Sequence, residues 1–289
     1  TVIVFIMLCV NVPIIRTLAY VQVNIHVANL ILLSMLFYRR HIILSALTLS
    51  LAVHLKSSPI ILLIPFILNR DWKWLISFFA ITASIVLGTT LISGFEYYSS
   101  YVSNISTVFG QTWFDYRDNS INSIIWQTTH LLAINHCIAK YSIWTLKAIL
   151  LGLSLWVFIR SVSRQIYCET ANAKEGVVNN GYPILLFMML MLSPLVWEHH
   201  PVFIVFPVLL MIKRLSSLGE CILYVLAYIF IFLFPTFDFY PFSYHRLLGV
   251  ILCYILFVNF AKSKREDAAL FDKINHKFNR VEALILSNK

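Results

Sequence analysis

The most constraining feature of this chain is a series of apolar segments, several of them too short to cross a bilayer. YPILLFMMLML (182–192) and PVFIVFPVLLMI (201–212) flank the stretch SPLVWEHH, and each falls well below the roughly 20 residues that a spanning helix needs. Segments 42–54 and 59–68 stand in the same relation on either side of HLKSSP. Longer apolar segments lie at about 1–15, 20–38, 75–92, 142–159, 219–235 and 246–261. With 60% hydrophobic and 12% charged residues and a mean hydropathy of +0.81, against about 25% charged in soluble domains, the chain is expected to be an all-α polytopic membrane protein. Residues 1–261 form the transmembrane domain. Residues 262–289 carry Leu270, Ile274, Phe278, Val281 and Ile285 on one stripe, the pattern of an amphipathic cytoplasmic tail.

Charge placement gives the expected orientation. Of 22 Lys and Arg residues, 16 fall at Arg39/Arg40, Arg70/Lys73, Arg160/Arg164/Lys174, Lys213/Arg214 and from Lys262 onward. Six, among them Arg16, Lys56, Lys147 and Arg246, fall on the other side. The positive-inside rule puts the first set in the cytoplasm, so the net charge of +9 reflects topology and not nucleic acid. Segments 42–68 and 182–212 then start and finish inside. Each reads as a re-entrant hairpin of two half-length helices with its tip outward, where irregular backbone survives only if packed in protein or lining a wet cavity. Pro59, Pro194 and Pro201 mark the breaks. The polar stretch 160–181 reads as a connecting loop, and the Tyr- and Trp-rich region 93–141 as interfacial. Five cysteines without CxxC spacing indicate neither disulfide framework nor zinc site. The opening TVIVFIML has no basic n-region, and the chain is expected to begin inside a membrane helix, with an N-terminal part lacking.

The polar residues at the tips are the candidates for chemistry. Lys56 and Glu198 at bilayer depth would together cost about 5–7 kcal/mol, comparable with the net stability of a domain. Either they pair and lock the hairpins together, or they line a polar site for an anionic ligand. Lys56 sits beside His54, Ser57 and Ser58 at a helix start, where free N–H groups and the dipole favour phosphate; Ser-Ser-Pro is also an ordinary helix cap. Glu198, His199 and His200 do not form HExxH, and Leu195 breaks the reversed HxxEH pattern. Zinc and other cofactors are therefore not expected, although a divalent ion bridging a phosphate through Glu198 or Asp118 stays open. On a helix, adjacent His199 and His200 would face about 100° apart, so only one serves a given ligand. Gln22 and Asn24 either satisfy each other or bind substrate.

The segment YVQVNIHVANLILLSMLFYRRHIILSALTLSLAVHLKSSPIILLIPFILNRDWKW resembles the GQVN–helix–paired basics–helix–Lys–Pro order of glycosyltransferase family 87. SPLVWEHHPVFIVFPVLLMI is similar to that family's SP-x-x-W-[ED]-H-H signature, and the resemblance extends over most of residues 15–261. It implies a GT-C-like transmembrane helix bundle and an inverting enzyme that takes a hexose, typically mannose, from a polyprenyl-phosphate donor. The acceptor is a lipid or glycan at the extracytoplasmic face, and the expected location is a bacterial plasma membrane. The candidates on this reading are Glu198, His199 and His200 for catalysis, Lys56, His54 and Arg16 for the donor phosphate, and Gln22, Asn24, Asp118 and Asn119 for substrate. This chain departs from the pattern at Val21, where the family has Gly, and at DNSINS followed by Gln127. The family's catalytic carboxylate lies in a first extracytoplasmic loop, expected here upstream of Thr1. A lipid-linked oligosaccharide polymerase or ligase would favour a long Arg-rich outward loop, which is not seen. A transporter commonly shows an internal repeat, and the two hairpins share too little sequence to be one.

Overall fold

The computed structural model describes residues 2–38, 40–110, 115–166 and 173–262; the amphipathic tail beyond Lys262 lies outside them. Among the described residues thirteen α-helices follow in order: α1 (Val2–Cys9), α2 (Val12–Ala19), α3 (Asn24–Phe37), α4 (Ile42–Leu55), α5 (Ile64–Leu68), α6 (Trp72–Ser93), α7 (Glu96–Gly110), α8 (Ile121–Leu131), α9 (His136–Ile166), α10 (Ala173–Leu192), α11 (Val205–Met211), α12 (Leu218–Tyr228) and α13 (His245–Lys262). Tight 3₁₀ turns at Ser58–Leu63 and His200–Ile204 lead into α5 and α11. No β-strand occurs among the described residues, only an isolated antiparallel bridge between Asp118 and Trp197.

Three described helices are long and apolar enough to cross a membrane: Trp72–Ser93, His136–Ile159 and Phe242–Asn259. The α2–α3 pair qualifies jointly but bends by 119°. On α6, Ile76, Phe79, Leu87 and Leu91 are each more than half exposed, a surface that lipid and not water can cover. The chain is therefore an all-α polytopic membrane protein.

Contacts fix the course of the first hairpin. Ser45 near the start of α4 accepts a hydrogen bond from Trp74 Nε1 near the start of α6 (3.0 Å), and Ser50 meets Thr82 further along both helices (2.8 Å). The two helices therefore run parallel, and the connecting segment 58–68 must return between them. Its end is pinned beside the start of α4: Tyr38 donates to Asp71 (2.8 Å), and Phe66 stacks on Trp74 with ring centroids 3.5 Å apart. Asp71 also caps α6 by accepting from Trp74 N. The turn at Lys56 is thus a hairpin tip, as the hydropathy pattern predicts.

The second hairpin follows from its neighbours. Thr236, just past the end of Leu218–Leu233, hydrogen-bonds Glu198, so that segment ends level with the 193–200 tip. At about 1.5 Å per residue it starts about 24 Å away, and α11 must descend from the tip to meet it. Pro201 occupies the first turn of the descending arm, where its missing N–H costs nothing. Close approach then locks the bundle: a Cβ on Gly249 would lie 2.6 Å from Ile231 Cγ1, and one on Gly181 2.4 Å from Phe158.

Two expectations are corrected. The stretch 160–181 is not merely a loop, since α9 continues to Ile166 and α10 begins at Ala173; the arm 182–192 is the end of a 20-residue helix. The N-terminal apolar segment is also interrupted, because Asn11 caps a new helix by accepting from Ile14 N (3.0 Å).

Both tips, the α2–α3 bend and the loop 234–245 gather at one end of the bundle, here called the tip end. In a background without native cysteines, Ser57→Cys and Asp238→Cys should therefore react with an impermeant thiol reagent from one side of the membrane, and Ser216→Cys only from the other. Labelling of Ser57→Cys and Asp238→Cys from opposite sides would contradict this arrangement.

Candidate functional site

Glu198 lies in the turn between α10 and the 3₁₀ segment, nearly buried among polar partners. Arg16 Nε stands 3.3 Å from its Oε1, Tyr20 donates to the same oxygen at 3.0 Å, and Thr236 donates to Oε2. Both carboxylate oxygens thus accept hydrogen bonds, and a guanidinium stands beside one of them. Thr236 in turn accepts from Arg246 Nη1 (2.9 Å), and Arg246 Nη2 donates to the Phe234 carbonyl (2.9 Å).

Lys56 and Glu198 do not pair, which corrects the interlocking reading. Glu198 is matched by Arg16, whereas Lys56 Nζ donates to Asn24 Oδ1 (3.1 Å) and lies over the Phe203 ring (5.1 Å). The hairpins are thus joined by a cation–π contact. Asn24 is not satisfied by Gln22: its Oδ1 serves Lys56, its Nδ2 is buried without a partner, and Gln22 is exposed. Ser58 Oγ and His199 Nδ1 are likewise buried and unpartnered. His54 does not reach toward Lys56 through Nδ1, which bonds the Ser50 carbonyl of its own helix (2.9 Å).

The two histidines are not on a helix, because Glu198 and His199 occupy a turn and His200 opens the 3₁₀ segment. Their rings stand at 88° with centroids 4.8 Å apart, so they still face different directions. The His199 carbonyl accepts from Thr17 (3.4 Å), and Tyr20 packs edge-on against its ring.

Asp118 and Asn119 do structural work at this level. Asp118 accepts from Val196 N (2.7 Å), Ser120 N (3.0 Å) and Ser120 Oγ (2.9 Å), while Asn119 N donates to the Val196 carbonyl (2.8 Å). The loop before α8 is thereby sewn to the second tip. Asp118 and Glu198 serve separate networks, and among the described residues no three His, Cys, Asp or Glu side chains assemble as metal ligands.

Two basic residues of the tip end were missed as site components. Arg246 is fully buried, although its sequence neighbours place it at the end of a loop. Lys147 lies in the middle of α9 and donates to the carbonyls of Leu192 and Ser193 (3.1 and 3.2 Å), satisfying the C-terminus of a helix that stops inside the bundle. A cation within an apolar run was the available signal, since such residues are rare unless paired or functional.

Taken together, these features define a membrane-embedded helix bundle with a cationic, partly unsatisfied polar cluster at one end. The chain belongs to glycosyltransferase family 87, whose family model matches residues 1–194. The match takes in the Gln22–Asn24 and Lys56 region and stops at Pro194, just before Trp197–His200. Neither a curated protein nor a solved structure matches the chain. The protein is thus a membrane glycosyltransferase by family.

Removing the Asp118 tie tests the structural half of this site. Asp118→Ala leaves buried N–H groups of Val196 and Ser120 without acceptors and should destabilise the fold by about 2–3 kcal/mol. A lowered thermal midpoint in detergent would register the loss; an unchanged midpoint would contradict it.

Proposed function

We propose that this protein transfers a hexose, mannose being the first candidate, from a polyprenyl-phosphate donor to a lipid-linked or glycan acceptor. The reaction inverts the anomeric carbon and takes place at the tip end, which faces the extracytoplasmic side of a GT-C-type enzyme. The observation that carries this reading is the state of the groups around Lys56. Its ammonium, the Asn24 Nδ2 beside it and Ser58 Oγ two residues on are donors of which the last two are buried and unpartnered. An ammonium accompanied by two unpartnered donors, one on the side chain it contacts and one two residues along the chain, suits a phosphate.

The chemistry follows from that placement. As the sugar leaves its lipid phosphate, negative charge grows on the phosphate oxygens, and a fixed cation in a water-poor site stabilises it. Lys56 fills that role, with His199 Nδ1 the nearest candidate to assist. Arg16 is held by Glu198 and contributes field more than direct contact. The acceptor hydroxyl must lose its proton to a base as it attacks. Glu198 is badly suited to that task, because both oxygens already accept hydrogen bonds and an arginine holds it ionised. Its role is to order the Arg16–Tyr20 bend against the His199 turn, and the base is a different carboxylate.

The test uses the protein in proteoliposomes with radiolabelled polyprenyl-phosphate mannose and, separately, nucleotide sugars. Transfer should require the lipid donor. Lys56→Ala should lower it at least tenfold, on the order of one charge-assisted hydrogen bond, with folded yield retained. Lys56→Arg should not restore it, since a planar fork differs in shape from an ammonium. Transfer from nucleotide sugars alone would overturn the donor assignment. Unchanged donor affinity in Lys56→Ala would make Lys56 structural.

A further inference from the structure

Arg246 and Thr236 take no part in the chemistry derived above, yet their geometry is directional. A hydroxyl has one proton to donate and lone pairs to accept with, a guanidinium only donates, and an ionised carboxylate only accepts. Arg246 Nη1 donates to Thr236 Oγ1 at 2.9 Å, so the Thr236 proton is free to point elsewhere, and Glu198 Oε2 is the acceptor within reach. The order Arg246 to Thr236 to Glu198 cannot reverse, because the guanidinium does not deprotonate in proteins.

The first member of this chain is held rigidly. Arg246 is fully buried in the first turn of α13, and its second nitrogen is fixed by the Phe234 carbonyl at 2.9 Å. One turn along, Gly249 lets α13 press against Ala227, Phe230 and Ile231 with no room for a side chain. Burying an arginine is costly unless it is hydrogen-bonded and compensated. A lone structural threonine needs no such arrangement, whereas a carboxylate that must stay in one orientation does.

We infer that Arg246, acting through the Thr236 hydroxyl, is a positioning residue that holds the Glu198 carboxylate in one orientation, and with it the Arg16–Tyr20 bend and the His199 turn. The inference rests on the reading of Glu198 as an ordering group for glycosyl transfer. It adds that the loop 234–245, which lies beyond the matched residues 1–194, completes the site. Groups facing Glu198 are Arg16 and Tyr20 from the end of α2, Thr236 and Arg246 from the loop and α13, His199 beside it, and Lys56 beyond His199.

Two readouts on the whole protein test this, one independent of activity. Infrared difference spectra against Glu198→Gln isolate the Glu198 carboxyl band. In Thr236→Val the group should take up its proton at higher pH than in the native protein, since a hydrogen bond to the ionised form has been removed; Thr236→Ser should titrate as the native protein does. In the transfer assay, Thr236→Val should lower kcat about tenfold with donor KM and folded yield little changed, and Thr236→Ser should stay within about twofold. Glu198→Gln combined with Thr236→Val should be no worse than Glu198→Gln alone, because the two act through one contact. Equal titration of the Val and Ser variants would overturn the inference, as would multiplicative losses in the double variant. Failure of both Thr236→Val and Thr236→Ala to yield folded protein would also overturn it, by making the hydroxyl a folding requirement. If the native protein transfers no sugar but the infrared pattern holds, the relay stands and the proposed function falls.

Discussion

The tip end of this bundle depends on one carboxylate. Glu198 collects Arg16 and Tyr20 from the α2–α3 bend and Thr236 from the loop before α13, joining three stretches that are far apart in sequence. A carboxylate at this depth has few alternatives. Unpaired, it would cost several kcal/mol in desolvation, so its presence obliges the surrounding chain to bring donors to it. Each donor comes from backbone that is not a continuous spanning helix. The compensation of one charge and the breaking of several helices are thus the same structural fact.

Interrupted helices leave orphan carbonyls and N–H groups that lipid cannot satisfy, and the protein answers several of them with side chains. Lys147 covers the carbonyls at the end of α10, Asp118 binds the N–H of Val196 after the break, and Asn11 and Asp71 cap helices near the bundle's other breaks. Near Lys56 and His199, the atoms Asn24 Nδ2, Ser58 Oγ and His199 Nδ1 are buried without partners, and others lie elsewhere in the bundle, among them Asn11 Nδ2, Tyr182 Oη, Tyr224 Oη and Arg246 Nε.

Much of the architecture was legible in the sequence because hydropathy and proline act locally. The half-length segments around HLKSSP and SPLVWEHH predict two hairpins, and Pro59 and Pro201 fall in the first turns of the returning arms. Partner choice was not legible. Lys56 and Glu198 are the obvious pair by charge, yet Lys56 finds Asn24 and Phe203 while Glu198 finds Arg16, since pairing depends on how the α2–α3 bend is oriented. Thr236 and Arg246 were invisible for a similar reason: PTFDFYPFSYHR reads as a surface loop until α13 is seen to bury its first turn. The boundaries of α9 and α10 were misplaced because polar residues in 160–181 hide helix continuation from a hydropathy criterion.

The central claim is that the sugar donor meets the protein at the tip end. A polyprenyl-phosphate sugar carrying a photoreactive diazirine near its phosphate, crosslinked in membranes and mapped by mass spectrometry, tests it directly. The account predicts labelling within residues 54–60, 193–205 or 234–246, reduced by Lys56→Ala and competed by unlabelled donor. Specific, competable labelling confined to the opposite end, around 38–41, 69–73 or 212–217, would contradict it.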